Sequence, residues 1–271
     1  MMTPLDPLLT LVARSLEYIG PRLTPPDNRE TQAKLGDGLV LTLPPRLPSG
    51  RRLRSGTYEP DVTNVLHSIV MPGMTMVDVG ANIGYYTLLG SRLVGDQGRV
   101  YAFEPDAEAY RYLEMNVKRG RVGNVTAVQA AVSDRTGSRA FVSNELERGF
   151  LSVALDSAPA RTVTAVTLDD YFEDQGWPAV DVIKLDVEGA ERSVLAGMGG
   201  LSAKNRGLRL VMEFNLDAIR RAGGTPHQLR EALVQLGFRS GYVIELSTRP
   251  VSLSKPLPQT GLVCNLLLSK Q

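Results

Sequence analysis

The sequence predicts an α/β fold built on a doubly wound, mostly parallel, seven-stranded sheet. Segments with the pattern of buried strands alternate with segments whose apolar residues recur at helical spacing, which is typical of a parallel sheet covered by helices on both faces. A glycine-spaced turn joins the first of these strands to its helix. The last two strands follow each other without a helix between them, so we expect them to pair antiparallel and to give the sheet an antiparallel edge strand.

The predicted elements follow from apolar patterns along the chain. The strand-type segments of the sheet are residues 74–79, 99–103, 125–132, 180–185, 208–214, 238–246 and 261–268. The helix-type segments between them are residues 84–93, 106–118, 190–201 and 226–236. The alternation breaks after the third strand, where residues 138–144 and 162–167 have β-type patterns and residues 168–174 form a short helix.

Residues 1–55 are predicted to form an N-terminal appendage of helix and strand, and residues 56–271 the main domain. Apolar residues from Leu8 to Ile19 fall at helical spacing and predict an amphipathic helix, which docks on the main domain or supports a homodimer. Residues 38–43 have the pattern of a strand, and the arginine-rich segment 51–54 that of a solvated loop. A helix that Pro60 opens leads into the first strand of the sheet.

The composition excludes several classes of partner. The chain has 30 basic and 29 acidic residues, and its net charge of +1 does not favour nucleic acid or an anionic membrane. Cys264 is the single cysteine, which rules out an intramolecular disulfide and fits a reducing compartment. No apolar run reaches the roughly 18 residues of a membrane span, and the start lacks the features of a secretory signal. We therefore expect a cytoplasmic protein.

The turn after the first strand is the centre of the predicted ligand site. It reads GANIG from Gly80 to Gly84, and glycines there let the backbone approach a ligand while the following helix presents free N–H groups. A dinucleotide fingerprint needs a second glycine where Asn82 stands. Asp78 would repel a pyrophosphate and suits a ligand that is cationic at this end, such as S-adenosylmethionine (SAM), which carries a sulfonium and an ammonium group.

The second strand ends at a candidate ribose ligand. Glu104 lies 20 residues after Gly84, where an acid accepts both hydrogen bonds of a ribose diol. NAD requires the same acid, so Glu104 indicates an adenosine ribose without selecting the cofactor. Pro105 follows, and Asp106 is either a contact of the adenine pocket or the N-cap of the next helix.

The third strand ends where folds of this class hold the adenine ring. Val132 is a candidate to pack on the ring, and Ser133 and Asp134 are candidates to meet its exocyclic amine. The alternative for Ser133 and Asp134 is a plain turn.

Several motifs together resemble the FkbM family of SAM-dependent methyltransferases. They are VDVGANIGYYTLLGS, VYAFEPDAEAYRYLEMNV, AVSDRTG, VTLDDYF and IKLDVEGAERSVLAGM, and the resemblance covers roughly residues 56–245. It implies a class I Rossmann-like methyltransferase fold and, for most of the family, methylation of a hydroxyl on a natural product or a sugar. In similar methyltransferases an N-terminal segment folds over the methionine part of SAM, which makes Glu59 a candidate cofactor contact.

The strand at residues 180–185 carries charged residues at its carboxyl end. Lys184 and Asp186 share one side of this strand, and a lysine inside an apolar strand needs a carboxylate partner. Methyl transfer to an alcohol needs a base, and Asp186 and Glu188 are the candidates, with Lys184 as the charge partner that holds the geometry. Alternatively, Glu188 caps the following helix and Asp186 binds the ammonium group of SAM.

The next strand brings further polar residues to the same edge of the sheet. Glu213 and Asn215 are candidate substrate contacts, and their alternative is loop capping. Asp186, Glu188 and Glu213 together are the candidates for a divalent cation, but the absence of a dense cluster of ligands in the sequence argues against a metal.

We therefore expect a SAM-dependent O-methyltransferase that transfers a methyl group in line to a hydroxyl of a small molecule or sugar. An NAD-linked oxidoreductase is the alternative enzyme, and a catalytically inactive SAM-fold binding protein is the alternative of another class. The loop at residues 144–161 has the length of a lid over the acceptor.

Overall fold

An eight-stranded sheet forms the centre of the fold. The computed structural model describes residues 28–35, 38–141, 161–246, 250–257 and 263–270. The strands of these residues are β1 (Thr31–Lys34), β2 (Val40–Leu43), β3 (Thr75–Val79), β4 (Arg99–Phe103), β5 (Val125–Val128), β6 (Ala131–Val132), β7 (Gly137–Phe141), β8 (Arg161–Val166), β9 (Val182–Leu185), β10 (Arg209–Asn215), β11 (Ser240–Val243), β12 (Pro250–Ser252) and β13 (Val263–Ser269). The α-helices are α1 (Gly50–Arg54), α2 (Pro60–Ile69), α3 (Tyr85–Val94), α4 (Ala107–Gly120), α5 (Leu168–Asp174), α6 (Glu191–Ala196), α7 (Gly199–Lys204), α8 (Leu216–Arg221) and α9 (Pro226–Gln235).

The central sheet is mostly parallel. Its order is β12-β11-β13-β10-β9-β3-β4-β5. The strands from β10 to β5 in this order run parallel to one another, whereas β13 is antiparallel to both β10 and β11. The predicted α/β fold with a doubly wound, mostly parallel sheet is confirmed.

Helices cover both faces of the sheet. On one face, Met76 and Val182 pack with Leu66 of α2, and on the other face Val77 and Ile183 pack in a larger core with α5 to α9. Neighbouring residues of one strand therefore enter different cores, as a doubly covered parallel sheet requires. Because side chains alternate along a strand, Asp78 and Lys184 point to the same face as Met76 and Val182, toward α2 and α3.

The antiparallel part of the sheet differs in two details from the prediction. Strand β13 lies inside the sheet, between β10 and β11, and not at its edge. Leu266 and Leu268 of this strand are fully buried, and a position between two strands buries them better than an edge does. The eighth strand, β12, is three residues long and begins with Pro250, which is typical of an edge strand and too short to predict from its pattern.

Two predicted elements are each divided in the structure. The strand predicted at residues 125–132 becomes β5 of the central sheet and β6 of a separate three-stranded sheet with the order β6-β8-β7. The helix predicted at residues 190–201 becomes α6 and α7, with Gly197 between them. A Cβ at Gly197 would lie 2.1 Å from the carbonyl oxygen of Ser133, so the helices break where the chain passes closely against the end of β6. The short helix predicted at residues 168–174 is confirmed as α5.

The described part of the N-terminal segment packs on the main domain. Strands β1 and β2 form an antiparallel pair, and Leu41 and Leu43 share a core with Ile83 and Leu88. Asn116 of α4 joins this pair to the main domain, because its Oδ1 accepts from the Thr42 N–H at 2.7 Å and its Nδ2 donates to the carbonyls of Thr42 and Ile83. The segment predicted as an arginine-rich loop forms helix α1. The division into domains at residue 55 stays a prediction.

Two predicted features lie outside the described residues. They are the amphipathic helix at residues 8–19, with the homodimer it was expected to support, and the loop 144–161 apart from Arg161. In the described part of the chain, no helix combines the length and the apolarity that a bilayer crossing requires.

Replacing the buried amide of Asn116 tests the attachment of the N-terminal strands. Asn116→Ala leaves the N–H of Thr42 and two carbonyls without partners, so we expect a loss of roughly 2–4 kcal/mol in the free energy of unfolding. Lys118→Ala on an exposed position of the same helix is the control, with an expected change below about 0.5 kcal/mol. Urea unfolding measures both, and equal stability of the two variants would contradict this attachment.

Candidate active site

The site lies where the carboxyl ends of parallel strands β3, β4, β9 and β10 meet. The turn after β3 is tied to β4, because the N–H groups of Gly80 and Ala81 both donate to the Phe103 carbonyl at 3.0 Å. Gly80 has a φ of +82°, and a Cβ there would lie 1.9 Å from the carbonyl oxygen of Asp186. Position 80 therefore requires glycine, which lets the end of β9 pass directly against the turn.

The ribose candidate Glu104 is bound to the same turn. Its Oε2 accepts from the Asn82 N–H and its Oε1 from the Asp106 N–H, each at 2.8 Å. Glu104 is buried, and burial raises its pKa to about 8 despite these two hydrogen bonds. Asn82 has a φ of +50°, and its Oδ1 is buried without a hydrogen-bond partner among the described residues. Both side chains thus have acceptor capacity left for a ligand.

Asp78 is fully buried at the carboxyl end of β3. The hydroxyl of Thr87 donates to its Oδ2 at 2.6 Å, whereas its Oδ1 is buried without a hydrogen-bond partner in the described chain. Burial raises the pKa of Asp78, and the charge of Lys184 opposes this shift. A cationic ligand next to Oδ1 would supply the missing partner.

Lys184 lies beside Asp78 on the neighbouring strand and is only 2% exposed. Its Nζ donates to Asp186 Oδ2 at 2.7 Å and lies 4.6 Å from the centre of the Tyr86 ring. Burial alone lowers the pKa of this lysine, but the carboxylates of Asp186, Asp78 and Glu59 outweigh burial and leave the pKa raised. Lys184 is therefore charged, as the sequence predicts for a lysine with carboxylate partners.

Glu59 reaches this group from the chain segment before α2. It is the N-cap residue of α2 with a φ of +41°, and the Tyr86 hydroxyl donates to its Oε2 at 2.5 Å. Burial raises the pKa of Glu59, and the charge of Lys184 lowers it. The structure thus brings Glu59 to the charged group at the end of β9.

Three carboxylates meet at the ends of β9 and β10. One oxygen each of Asp186, Glu188 and Glu213 lies within 4.8 Å of the others, and we call these residues the carboxylate cluster. Glu213 is 7% exposed, and its Oε2 has no hydrogen-bond partner among the described residues. Burial and then the charges of Asp186 and Glu188 raise its pKa well above that of an ordinary glutamate. The sequence named the three residues as candidates for one site, and the structure brings them together.

Two other candidates are helix caps in the structure. Asp106, after the partly buried Pro105, accepts through its Oδ1 from the N–H groups of Glu108 and Ala109 at the start of α4. Asn215 accepts from the Ala218 N–H at the start of α8. Capping was the alternative for both. Their predicted roles as adenine and substrate contacts stay predictions.

The adenine candidates contact α6 and β7. Val132 and Ser133 are buried, and the Ser133 hydroxyl lies 3.2 Å from that of Ser193 and 3.0 Å from Asp134 Oδ1. Asp134 is exposed and pairs with Arg139 at 3.3 Å. These polar groups already have protein partners, and their contact with an adenine ring stays a prediction.

Tyr86, Thr87 and Glu191 contribute to the site without having been predicted from the sequence. Tyr86 and Thr87 lie in the first turn of α3, and their role as partners of Glu59 and Asp78 depends on tertiary contacts that no motif signals. Glu191 is buried, accepts from the Gly189 N–H at 3.0 Å, and burial raises its pKa to about 7. Its place in the EGAE segment, three residues after Glu188, was the available signal.

The site fits a ligand with one cationic end and one ribose end. In the described part of the chain, buried oxygens of Asp78, Asn82 and Glu213 have no hydrogen-bond partner, and Gly80 allows the end of β9 to approach the turn. The chain can thus surround such a ligand with acceptors at defined positions.

Parts of the chain are similar in sequence to known proteins. The family model of the methyltransferase FkbM domain matches residues 78–240. The hexuronic acid methyltransferase AglP of Haloferax volcanii is 29% identical over 148 residues, which cover 54% of this chain and 59% of that protein. The 31-O-demethyl-FK506 methyltransferase FkbM of Streptomyces tacrolimicus is 33% identical over 159 residues, which cover 47% of this chain and 60% of that protein.

The 2-O-methyltransferase NoeI of Sinorhizobium fredii is 26% identical over 185 residues, which cover 60% of this chain and 74% of that protein. The chain therefore spans about 60% of the length of the first two relatives. Among solved structures, a SAM-dependent methyltransferase from Aquifex aeolicus is 17% identical with a TM-score of 0.45, covering 82% of this chain and 93% of that one.

Adding a methyl group at Gly80 tests the close approach of β9 to the turn. Gly80→Ala forces the turn away from Asp186, so we expect the affinity for S-adenosylhomocysteine to fall more than about tenfold. Gly73→Ala is the matched control, because Gly73 has a φ of +86° and open space around its Cβ position. In both variants an alanine adopts a positive φ, which costs about 1 kcal/mol. The difference between their affinities therefore reports the clash of the new methyl group with Asp186. Calorimetric titration yielding equal affinities would contradict the account.

Proposed function

The chain belongs to the FkbM methyltransferase family, with SAM as its cofactor, and from this premise we propose that it methylates a hydroxyl group of a small molecule or sugar. The observation that carries the proposal is the position of Asp186 and Glu188, which follow β9 where the backbone of Asp186 passes against Gly80 of the turn and whose carboxylates lie close together. An alcohol loses its proton as it accepts a methyl group, and a carboxylate at this edge is placed to take it.

The names of the relatives support oxygen as the accepting atom. Two of them are described as O-methyl-transferring enzymes, on FK506 and at a 2-O position, and a third as a hexuronic acid methyltransferase. Two of the three names thus give oxygen as the atom concerned, and the third gives hexuronic acid, a class of compound that is rich in hydroxyl groups. The family assignment also favours methyl transfer over the NAD-linked oxidoreductase considered from the sequence.

The residues that would hold SAM follow from the unpartnered acceptors of the site. Glu104 would accept from the ribose hydroxyls, and Asp78 and Asn82 would face the cationic methionine end with their free oxygens. Glu59, held by Tyr86, would close this end from the side of α2. When bound, SAM supplies an electrophilic methyl group on a sulfonium, and the part of the protein is to orient the acceptor in line with it.

Asp186 and Glu188 have different surroundings and therefore different parts in the proposal. Asp186 Oδ2 is paired with Lys184 Nζ at 2.7 Å, which fixes the direction of the carboxylate. Glu188 follows with a φ of +51°, a strained conformation for a glutamate that turns the chain toward the ends of β10. We assign to Glu188 or Asp186 the removal of the acceptor proton and to Lys184 the positioning of Asp186.

Neutral replacements of the two carboxylates test this assignment. With tritium-labelled SAM and a panel of uronic acid glycosides, neutral sugars and macrolide alcohols, we expect transfer to a hydroxyl oxygen, located by mass spectrometry. Asp186→Asn and Glu188→Gln should each lower kcat by about 10²–10⁴-fold. Glu173→Gln, at an exposed position of α5, is the control. Unchanged kcat in both variants, or methylation of nitrogen or carbon alone, would contradict the proposal.

The pKa of Glu104 gives the proposed ribose contact a pH dependence. Its pKa of about 8 means that the free protein holds a proton on Glu104 at neutral pH, whereas two ribose hydroxyls need the ionised carboxylate. Ligand binding then releases a proton, so the affinity for 5′-methylthioadenosine, which lacks the amino acid part of SAM, should rise from pH 6 toward a plateau above about pH 8, by up to about tenfold per pH unit.

Glu104→Gln is the matched variant for this titration. It carries no ionisable group, so its weaker affinity should be independent of pH over the same range. A flat profile for the unsubstituted protein would show that Glu104 does not accept from the ribose.

A further inference from the structure

The carboxylate cluster has the composition of a cation site. Asp186, Glu188 and Glu213 come from the ends of adjacent parallel strands, and their ligand oxygens lie within 4.8 Å of one another. We propose that they bind one divalent metal ion. The sequence argued against a metal because these three residues are dispersed along the chain, and the fold is what assembles them.

Glu213 provides an observation that is independent of this proximity. Glu213 is only 7% exposed, and its Oε2 has no hydrogen-bond partner among the described residues. A buried carboxylate oxygen without a partner costs about 1–3 kcal/mol or more. Besides burial, the negative charges of four carboxylates raise the pKa of Glu213. They belong to Asp186, Glu188, Glu59 and Glu191. One oxygen of this carboxylate lies in the carboxylate cluster, so a cation there would give Glu213 a partner of opposite charge.

Lys184, which lies near the carboxylate cluster, already pairs with carboxylates. Lys184 donates to Asp186 Oδ2 at 2.7 Å, and its charge also balances Asp78 and Glu59. The charge of Lys184 is thus shared by Asp186, Asp78 and Glu59, and the Oε2 of Glu213 has no hydrogen-bond partner among the described residues.

The ligands and their spacing define the class of ion. Three carboxylate oxygens without nitrogen or sulfur select a hard cation such as Mg²⁺, Mn²⁺ or Ca²⁺. Opposite ligands are about 4.2 Å apart around Mg²⁺ and about 4.8 Å apart around Ca²⁺, from metal–oxygen distances of about 2.1 and 2.4 Å. The three ligand oxygens all lie within 4.8 Å of one another, which does not exceed the distance between opposite ligands of one Ca²⁺ ion. Three protein ligands leave coordination positions open for water or a substrate oxygen.

The catalytic consequence rests on the proposed function. A hydroxyl oxygen of the acceptor that takes an open coordination position has a lower pKa, because the ion stabilises the alkoxide. The O–H bond and the bond between the methyl carbon and the sulfur of SAM then break as the new C–O bond forms. The proton passes to a carboxylate oxygen that does not bind the ion or to solvent, and the sulfur keeps its electron pair in the leaving S-adenosylhomocysteine. In this arrangement the carboxylate cluster activates the acceptor through the ion.

Direct binding of Mn²⁺ tests the site without any methyl transfer. The full chain is treated with EDTA, dialysed and titrated with MnCl₂ in the absence of SAM, and free Mn²⁺ is followed by its electron paramagnetic resonance signal. We expect a single Mn²⁺ per chain that Mg²⁺ displaces. Glu213→Gln should weaken this binding by about tenfold or more. Glu188→Gln, at a partly exposed position, provides a second variant if Glu213→Gln does not fold.

Glu191→Gln is the matched control, since Glu191 is also buried with an unpartnered oxygen but lies outside the carboxylate cluster. Its dissociation constant for Mn²⁺ should stay within about threefold of the unsubstituted value. The proposed site would be overturned if the protein bound no Mn²⁺ at millimolar concentration. It would also be overturned if Mn²⁺ bound equally to the unsubstituted protein, Glu213→Gln and Glu188→Gln. Methyl transfer that persists unchanged in EDTA would overturn its catalytic role and leave the proposed function intact, whereas Mn²⁺ binding without any O-methylation would support the site and reject that function.

Discussion

The charge of Lys184, enclosed by carboxylates, is the interaction on which the site depends. The lysine is almost fully buried, so it is tolerated only because Asp186 accepts its hydrogen bond and Asp78 lies beside it on the adjacent strand. Asp78 depends equally on the lysine, since its ionised carboxylate would otherwise be a fully buried charge without a cation. The hydrogen bond from Lys184 fixes the direction of Asp186, and the Oδ1 of Asp78 has no hydrogen-bond partner among the described residues, which suits a cationic cofactor.

Close backbone contacts bring the parts of the site into register. Gly80 lets the end of β9 pass against the turn after β3, and Gly189 lets the chain after Glu188 pass against α8, where a Cβ would lie 2.5 Å from the Ala218 carbonyl. Side chains at these two positions would push apart the strand ends that carry the acids. The glycines therefore act on function through the distances between Asp186, Glu188 and the groups on neighbouring strands.

The sequence was sufficient for the fold class and for most members of the site. Alternating apolar segments predicted the parallel sheet, and Lys184 inside an apolar strand predicted its own carboxylate partner. The position of β13 inside the sheet was not predictable, because strand order depends on which neighbours bury Leu266 and Leu268 best. The hydrogen bond from Tyr86 to Glu59 was equally hidden, since it joins residues that are distant in sequence and carry no local pattern, whereas the meeting of Glu213 with Asp186 was predicted from the shared edge of their strands.

A double-mutant cycle on Lys184 and Asp186 tests whether this buried charge pair organises the site. We expect Lys184→Met to lower the free energy of unfolding by about 3–5 kcal/mol, because it leaves Asp78 and Asp186 without their cation. The additional substitution Asp186→Asn should recover part of this loss, with a coupling energy of about 1 kcal/mol or more between the two positions. Additivity of the two substitutions within about 0.5 kcal/mol would show that the pair does not organise the site.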